Sequence, residues 1–198
     1  MKDITSNEMM FVLNILKSPE INYNANSMAS AIGISRMGAL KIARKLEQDN
    51  IIISRKWGRA KFYSLNFDSD YVRDYVKFLL KREAKQSHPY VKVWIEDIRK
   101  IKSADAAILF GSVLRKHKDA RDIDVMLLIN PKNYHKIQKE IHEIDELNTK
   151  KIHPMYQTKE DLIKNLKKED LPLLSAIKGI AAFGEDIIIN AIKDSLSK

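Results

Sequence analysis

A strand-like apolar run that breaks off in Gly-Ser, answered a few residues later by a second run opening with two acids, leaves this chain few folds to choose from. Ala106-Ala107-Ile108-Leu109-Phe110 is continuous and apolar, as a strand covered on both faces is. It ends in Gly111-Ser112. Nine residues intervene, Val113 to Arg121, before Asp122-Ile123-Asp124 leads into Val125-Met126-Leu127-Leu128-Ile129. Carboxylates at i and i+2 of a strand lie on one face, because side chains alternate with period two. Two acids on one face at the mouth of an apolar strand suit Mg²⁺, which takes a few hard oxygens from protein and the rest from water and substrate phosphates. Gly111 lets the backbone approach a triphosphate closely. Ser112 offers a hydroxyl and an N–H, and Arg115 is within reach of the phosphates. Asp122 and Asp124 are thus the candidate metal ligands and catalytic residues, placed to orient a nucleotide and offset charge on a transferred phosphoryl group.

Phe110-Gly111-Ser112 with Asp122-Ile123-Asp124-Val125 resembles the nucleotidyltransferase superfamily pattern of hydrophobic-Gly-Ser, a spacer, then Asp-hydrophobic-Asp-hydrophobic. The nearest likeness is to the minimal nucleotidyltransferases, a group that includes antitoxins paired with HEPN toxins. Their motif often continues Gly-Ser-x-x-Arg-Gly; here Gly111-Ser112-Val113-Leu114-Arg115-Lys116 keeps the Arg and lacks the second Gly. The resemblance covers most of residues 104–198. It implies a mixed α/β nucleotidyltransferase-like domain, an NTP with Mg²⁺ as ligands, and a protein acceptor or toxin as a possible partner. Active members usually carry a third carboxylate on a later strand. The strand expected here is Lys151-Ile152-His153-Pro154-Met155-Tyr156, and His153 stands in the acid's place. Glu160 and Asp161 fit the start of the following helix better. An imidazole titrates near neutrality and is able to serve as a base, so two readings stay open. One is a catalytically weakened module that binds a ligand or builds an oligomer. The other is an active Mg-dependent nucleotidyltransferase lacking the usual third carboxylate.

The first 66 residues follow a different plan. Met9, Met10, Val12, Leu13, Ile15 and Leu16 keep a helical period up to Ser18-Pro19, where proline cannot continue a helix. Asn22 to Asn26 reads as a loop. Ser27 to Ile32 reads as a short second helix stopped by Gly33. Ser35 is a good N-cap for a third helix from Arg36 to Gln48. Leu40, Ala43 and Leu46, with Ala39 and Ile42, supply its inward side. The period then changes to two: Ile51 to Arg55 and Ala60 to Leu65 read as strands around a Trp57-Gly58-Arg59 turn. Three helices and a basic hairpin are the plan of a winged helix-turn-helix. The stretch from Ala29 through Ile52 resembles bacterial and archaeal winged-helix transcription regulators, whose third helix exits through Leu-Glu-x-x-Gly-Leu-Ile. Here Asn50 replaces the exit Gly, a mild departure because Asn also tolerates the left-handed conformation.

A helix fits the DNA major groove, and its N-terminal side chains reach base edges. Arg36 and Lys41 are the base-edge candidates, and Arg44 and Lys45 the phosphate contacts. Ser35 is placed to cap and to touch a phosphate. Arg55, Lys56, Arg59 and Lys61 lie on the wing, where phosphate or minor-groove contact is expected. Charge agrees with this division. Of the net +9, residues 1–66 carry +5, residues 67–104 carry +3 and residues 105–198 carry +1. A basic module beside a near-neutral one points to a polyanion at the first.

Between the two lie apolar-periodic stretches split at Ser87-His88-Pro89: one helix over residues 69–83, and another from Val91 to about Lys102. The first is suited either to pairing two copies into a homodimer on a palindromic site or to packing on its neighbour. The expected organisation is α+β: a winged helix-turn-helix over residues 1–66, a helical connector over 67–103, and a nucleotidyltransferase-like domain over 104–198. With no cysteine there is no disulfide frame or thiolate metal site. No apolar run approaches the roughly 20 residues that span a bilayer, and no apolar segment of a signal peptide follows Met1-Lys2-Asp3-Ile4-Thr5. A cytoplasmic protein with no membrane partner is expected. The Lys- and Ile-rich, Cys-free composition is compatible with a thermophilic, archaeal-type origin. The implied roles are a double-stranded-DNA-binding regulator with a nucleotide-sensing or oligomerising second domain or, alternatively, an enzyme that transfers NMP to a protein or small molecule.

Overall fold

A computed structural model describes residues 4–196; Met1, Lys2 and Asp3 of the opening segment lie outside it, as does the side chain of Asp70. The chain divides into two compact units, with the boundary after Leu79.

In the first unit, α1 (Ser6–Lys17) starts from a capping box. The Thr5 hydroxyl accepts from the Glu8 N–H at 3.2 Å, and the Glu8 carboxylate accepts from the Thr5 N–H at 2.8 Å. Its Phe11, Val12, Leu13 and Leu16 are buried. The segment from Asn22 to Asn26, expected as a loop, is instead ordered. Tyr23–Asn24 form a short strand, β1, and α2 runs Ala25–Ile32 from a capping box of Asn24 with Ser27. Gly33, at φ 70°, ends α2 in the left-handed region that a side chain disfavours. Helix α3 (Arg36–Gln48) follows, with the Ser35 hydroxyl accepting from the Gly38 N–H at 3.0 Å as expected. Ala39, Ala43 and Leu46 are its buried positions, while Leu40 and Ile42, expected to face inward, are only half-buried. Asn50 takes φ 54°, so it does occupy a left-handed exit. Strands β2 (Ile52–Trp57) and β3 (Ala60–Leu65) form an antiparallel hairpin in the register Trp57 to Ala60, and β1 pairs with the other edge of β3 in the order β1-β3-β2. Tyr63 pairs with Tyr23 and meets the Phe11 ring edge-on at 5.8 Å, which ties the sheet to α1.

The segment expected as a connector is helical: α4 spans Asp70–Gln86 and α5 spans Pro89–Ile98. The unit boundary falls inside α4. Pro89 begins α5 at a position that needs no N–H donor. Val91, Trp94, Ile95 and Ile98 of α5 lie in the core of the second unit.

That unit is built on four strands: β4 (Ala106–Phe110), β5 (Ile123–Leu128), β6 (Ile152–Gln157) and β7 (Ile180–Phe183). Their order is β6-β5-β4-β7. Strand β4 is antiparallel to both β5 and β7, and β5 is parallel to β6. Between β4 and β5 come the short α6 (Val113–Lys116) and a 3-10 turn, and α7 (Tyr134–Leu147) makes the crossover from β5 to β6. One face of the sheet, with Ala107, Leu109, Ile123, Val125 and Leu127, packs on α5 and on Ile137, Ile141 and Ile144 of α7. The other face meets α8 (Lys159–Lys167), α9 (Leu171–Ile177) and α10 (Glu185–Leu196). A sheet covered on both faces explains the unbroken apolar runs of β4 and β5. Gly184, at φ 76°, turns β7 into α10; a Cβ there would overlap Ala106 and the Asp105 carbonyl.

Candidate functional site

Two sets of expected residues are gathered, one in each unit. In the first, α3 presents Arg36, Lys41 and Arg44 to solvent, and the hairpin presents Arg55, Lys56 and Arg59. Met37, Lys41, Arg44 and Gln48 recur at steps of four and three, so they share the outward stripe of α3 opposite Ala39, Ala43 and Leu46. No ion pair involves these six cations among the described residues, and their charge is open to a polyanion.

Lys45 and Lys61 are placed differently. Lys45 donates to the buried carboxylate of Glu8 across the interior of the unit, and Lys61 pairs with Glu47 at 2.7 Å. The Ser54 hydroxyl donates to the same Glu47 at 2.5 Å. Burial pushes the Glu8 carboxyl up, but Lys45 and the Thr5 contacts outweigh it and hold the group below its ordinary value. Glu47 is lowered in the same way, burial being overcome by Lys61 and Ser54. Ser35 serves as the cap of α3. Among the exposed apolar side chains beside the free cations are Met37 on α3 and Trp57, 76% exposed, at the hairpin end, which were not singled out from sequence as contact residues. Their only signal was position, since apolar periodicity assigns neither to a core.

In the second unit the Gly-Ser and Asp-x-Asp segments meet. Asp124 is the antiparallel partner of Phe110, so Gly111 follows directly beside it. Gly111 takes φ 79°, and a Cβ on it would overlap the Asp124 carboxylate. The glycine therefore makes the space that the acid occupies. Asp124 is also the parallel partner of His153 on β6, and His153 Nδ1 lies 3.4 Å from Asp124 Oδ1. Asp122, exposed two residues before, completes the group: one ligand atom from each of Asp122, Asp124 and His153 lies within 4.8 Å of the others. Among the described residues no other carboxylate joins this cluster. Glu160 and Asp161 start α8, where the Thr158 hydroxyl caps the Asp161 N–H at 3.0 Å.

Two carboxylates and an imidazole fit a divalent cation, with Asp122 and Asp124 supplying the hard oxygens. Ser112 is half-buried and makes no capping hydrogen bond with its side chain, and Arg115 is exposed on α6. The segment linking Ser112 to Asp122 is held from two sides. His117, at the unusual φ of 49°, stacks on His88 with ring centroids 3.7 Å apart. Lys150 donates to the carbonyls of Lys118 and Ala120. Neither anchor carries a sequence signal, because both depend on partners about 30 residues away.

No protein-family model matches the chain, and no curated protein matches it in sequence. Among solved structures, the adhesin competence repressor of Streptococcus pyogenes aligns over 73% of this chain and 80% of its own, at 10% identity and a TM-score of 0.37. A zinc-responsive MarR family member of Lactococcus lactis, ZitR, aligns over 49% of this chain and 73% of its own, at 15% identity and a TM-score of 0.30. Superpositions this loose carry no weight for what this chain does. No helix among the described residues is long and apolar enough to cross a membrane.

Proposed function

We propose that the chain is a double-stranded-DNA-binding transcription regulator whose second unit carries a nucleotidyltransferase-like ligand site. The observation that carries this reading is the set of six exposed, unpaired cations on α3 and the β2–β3 hairpin: Arg36, Lys41, Arg44, Arg55, Lys56 and Arg59. A helix so armed enters the major groove, and a basic hairpin beside it follows the phosphates. In a homodimer, two such helices would read a palindromic site. The test is fluorescence anisotropy on a labelled duplex with the full chain and with Arg36→Ala/Arg44→Ala. The double variant is expected to bind at least roughly 10-fold more weakly, since a base-edge contact such as that of Arg36 is worth about 1–3 kcal/mol and loss of a phosphate contact at Arg44 adds to it. Unchanged affinity would remove α3 as the reading element.

In the second unit Gly111, Ser112 and Arg115 would face the phosphates of an NTP, with Asp122 and Asp124 holding a divalent ion, Mg²⁺ in the sequence-based expectation. Bound there, the ion would neutralise phosphate charge. With His153 at the third position instead of a carboxylate, the site favours binding over transfer. A second reading, NMP transfer to a protein such as a toxin partner or to a small molecule, is favoured by the Asp122–Asp124 pair seated against Gly111. Incubation with each α-labelled NTP and candidate acceptors decides between them. Label transferred by the wild type and lost in Asp122→Asn/Asp124→Asn establishes the enzyme; no transfer supports a site that binds without catalysis.

A further inference from the structure

The donor set at the mouth of β5 departs from what Mg²⁺ selects. Mg²⁺ demands near-octahedral oxygen coordination and gives up water reluctantly. Imidazole suits the later first-row ions, whose affinity for nitrogen donors rises along the series toward Cu²⁺ and Zn²⁺. Here the third donor is the imidazole of His153, carried by the strand that runs parallel to β5 and paired with Asp124 in register. Its Nδ1 stands 3.4 Å from Asp124 Oδ1. Two ligands bound at about 2.0–2.2 Å with a tetrahedral angle between them lie about 3.4 Å apart. Asp124 and His153 therefore already have the spacing of neighbours in one coordination shell. Asp122 is exposed, and its ligand atom lies inside the same 4.8 Å group. The Asp124 side of the site is fixed by backbone, because the carboxylate rests where Gly111 leaves room. His153 is 76% exposed at its side chain, so the site stays open on one side, as a centre that binds an exchangeable ligand must.

We infer that Asp122, Asp124 and His153 form a site for a first-row transition ion of the Zn²⁺ class, in preference to Mg²⁺, with a remaining position free for water or a phosphate oxygen. The inference rests on the proposed ligand site for its location and differs from it in the ion. His153 is then a metal ligand, and no base is needed to explain it.

The probe is Co²⁺, whose visible absorption reports nitrogen–oxygen coordination directly. The full-length chain, freed of metal with a chelator, is titrated with Co²⁺ and then challenged with Zn²⁺ or Mg²⁺. One Co²⁺ per chain is expected, displaced by roughly stoichiometric Zn²⁺ and retained against about a hundredfold excess of Mg²⁺. His153→Asp, an exposed replacement that restores a carboxylate, is expected to weaken Zn²⁺ binding by about tenfold or more and to let Mg²⁺ compete. Asp122→Asn/Asp124→Asn is expected to abolish the Co²⁺ spectrum. Displacement by Mg²⁺ as readily as by Zn²⁺ would overturn the proposal. So would an unchanged ion preference in His153→Asp, or an unchanged spectrum in the double variant, which would put the ion elsewhere. Nucleotide binding is scored separately by thermal protection. Zn²⁺ binding without nucleotide protection upholds the metal site and removes the nucleotide reading, whereas protection by Mg²⁺-nucleotide with no Co²⁺ spectrum does the reverse.

Discussion

The two units hold their functional residues by opposite means. In the first, the candidate residues are cations spread along the outward stripe of α3 and the hairpin, each set by its position in a helix, strand or hairpin turn and by freedom from an ion-pair partner. In the second, Asp124 and His153 sit on two neighbouring strands, set by register and by the backbone beside them, with Asp122 just before the first of those strands. Lys41 and Lys45, one turn apart on α3, show how narrow the first criterion is: Lys41 faces solvent, while Lys45 is drawn into an ion pair with Glu8. Gly111 shows how narrow the second is, since a single methyl group there would collide with Asp124. A distributed surface should lose binding in steps. A register-built site should fail at once.

That contrast is tested most severely in the second unit. Gly184→Ala forces a methyl group onto Ala106 and the Asp105 carbonyl at a left-handed φ, where backbone cannot yield. A loss of about 3–4 kcal/mol is expected in chemical denaturation. Gly111→Ala meets a movable carboxylate instead, so its stability cost is smaller, about 2 kcal/mol. Its metal and nucleotide binding should nevertheless vanish, because Asp124 escapes the clash only by leaving the site. A variant that keeps ligand binding would show that register does not set the site.

In the first unit the paired variants are Lys45→Ala and Lys41→Ala. The former leaves the buried Glu8 carboxylate without its main partner and should cost about 1–2 kcal/mol, less than a fully enclosed pair because Lys45 is about one-third exposed. The latter should change stability by no more than about 0.5 kcal/mol and weaken DNA binding. Equal effects on stability would erase the distinction between paired and free cations. The smallest effect is on acid stability. Glu8 and Glu47 are both held below the ordinary value of 4.5, so the unfolded chain binds more protons than the folded one as pH falls through that range. The stability they contribute is fully present above 4.5 and is lost as pH drops through their lowered values. A urea series from pH 6 to pH 3 should show that loss, and Lys45→Ala should flatten it.

Much of this was legible before any coordinates. The bounds of α3 followed from Ser35 and from the inward Ala43 and Leu46. The hairpin followed from the period change at Ile51 and the turn at Gly58. The two apolar runs carrying Gly111 and Asp124 at their ends were readable as strands, whereas the place of His153 beside Asp124 came only from the nucleotidyltransferase resemblance. What stayed hidden depended on partners distant in sequence. Nothing local in Lys45 announces Glu8, which is 37 residues away. The stack of His117 on His88 and the hold of Lys150 on the Ser112–Asp122 segment are likewise invisible to periodicity. Strand β1 was missed for a different reason: two residues are too few to show an alternation. The early start of α2 did have a signal, in Asn24 and Ser27, but it lay inside a polar stretch that reads as a loop.

The most direct test of the account is the salt dependence of duplex binding by the intact chain. If four or five of the free cations on α3 and the hairpin displace counterions from phosphates, the logarithm of the binding constant should fall against the logarithm of salt concentration with a slope of about −3.6 to −4.5. Removing Arg55, Lys56 and Arg59 together should bring that slope to about −1 to −2. Binding that ignores salt, or no binding to any duplex at low salt, would contradict the assignment of this surface to DNA.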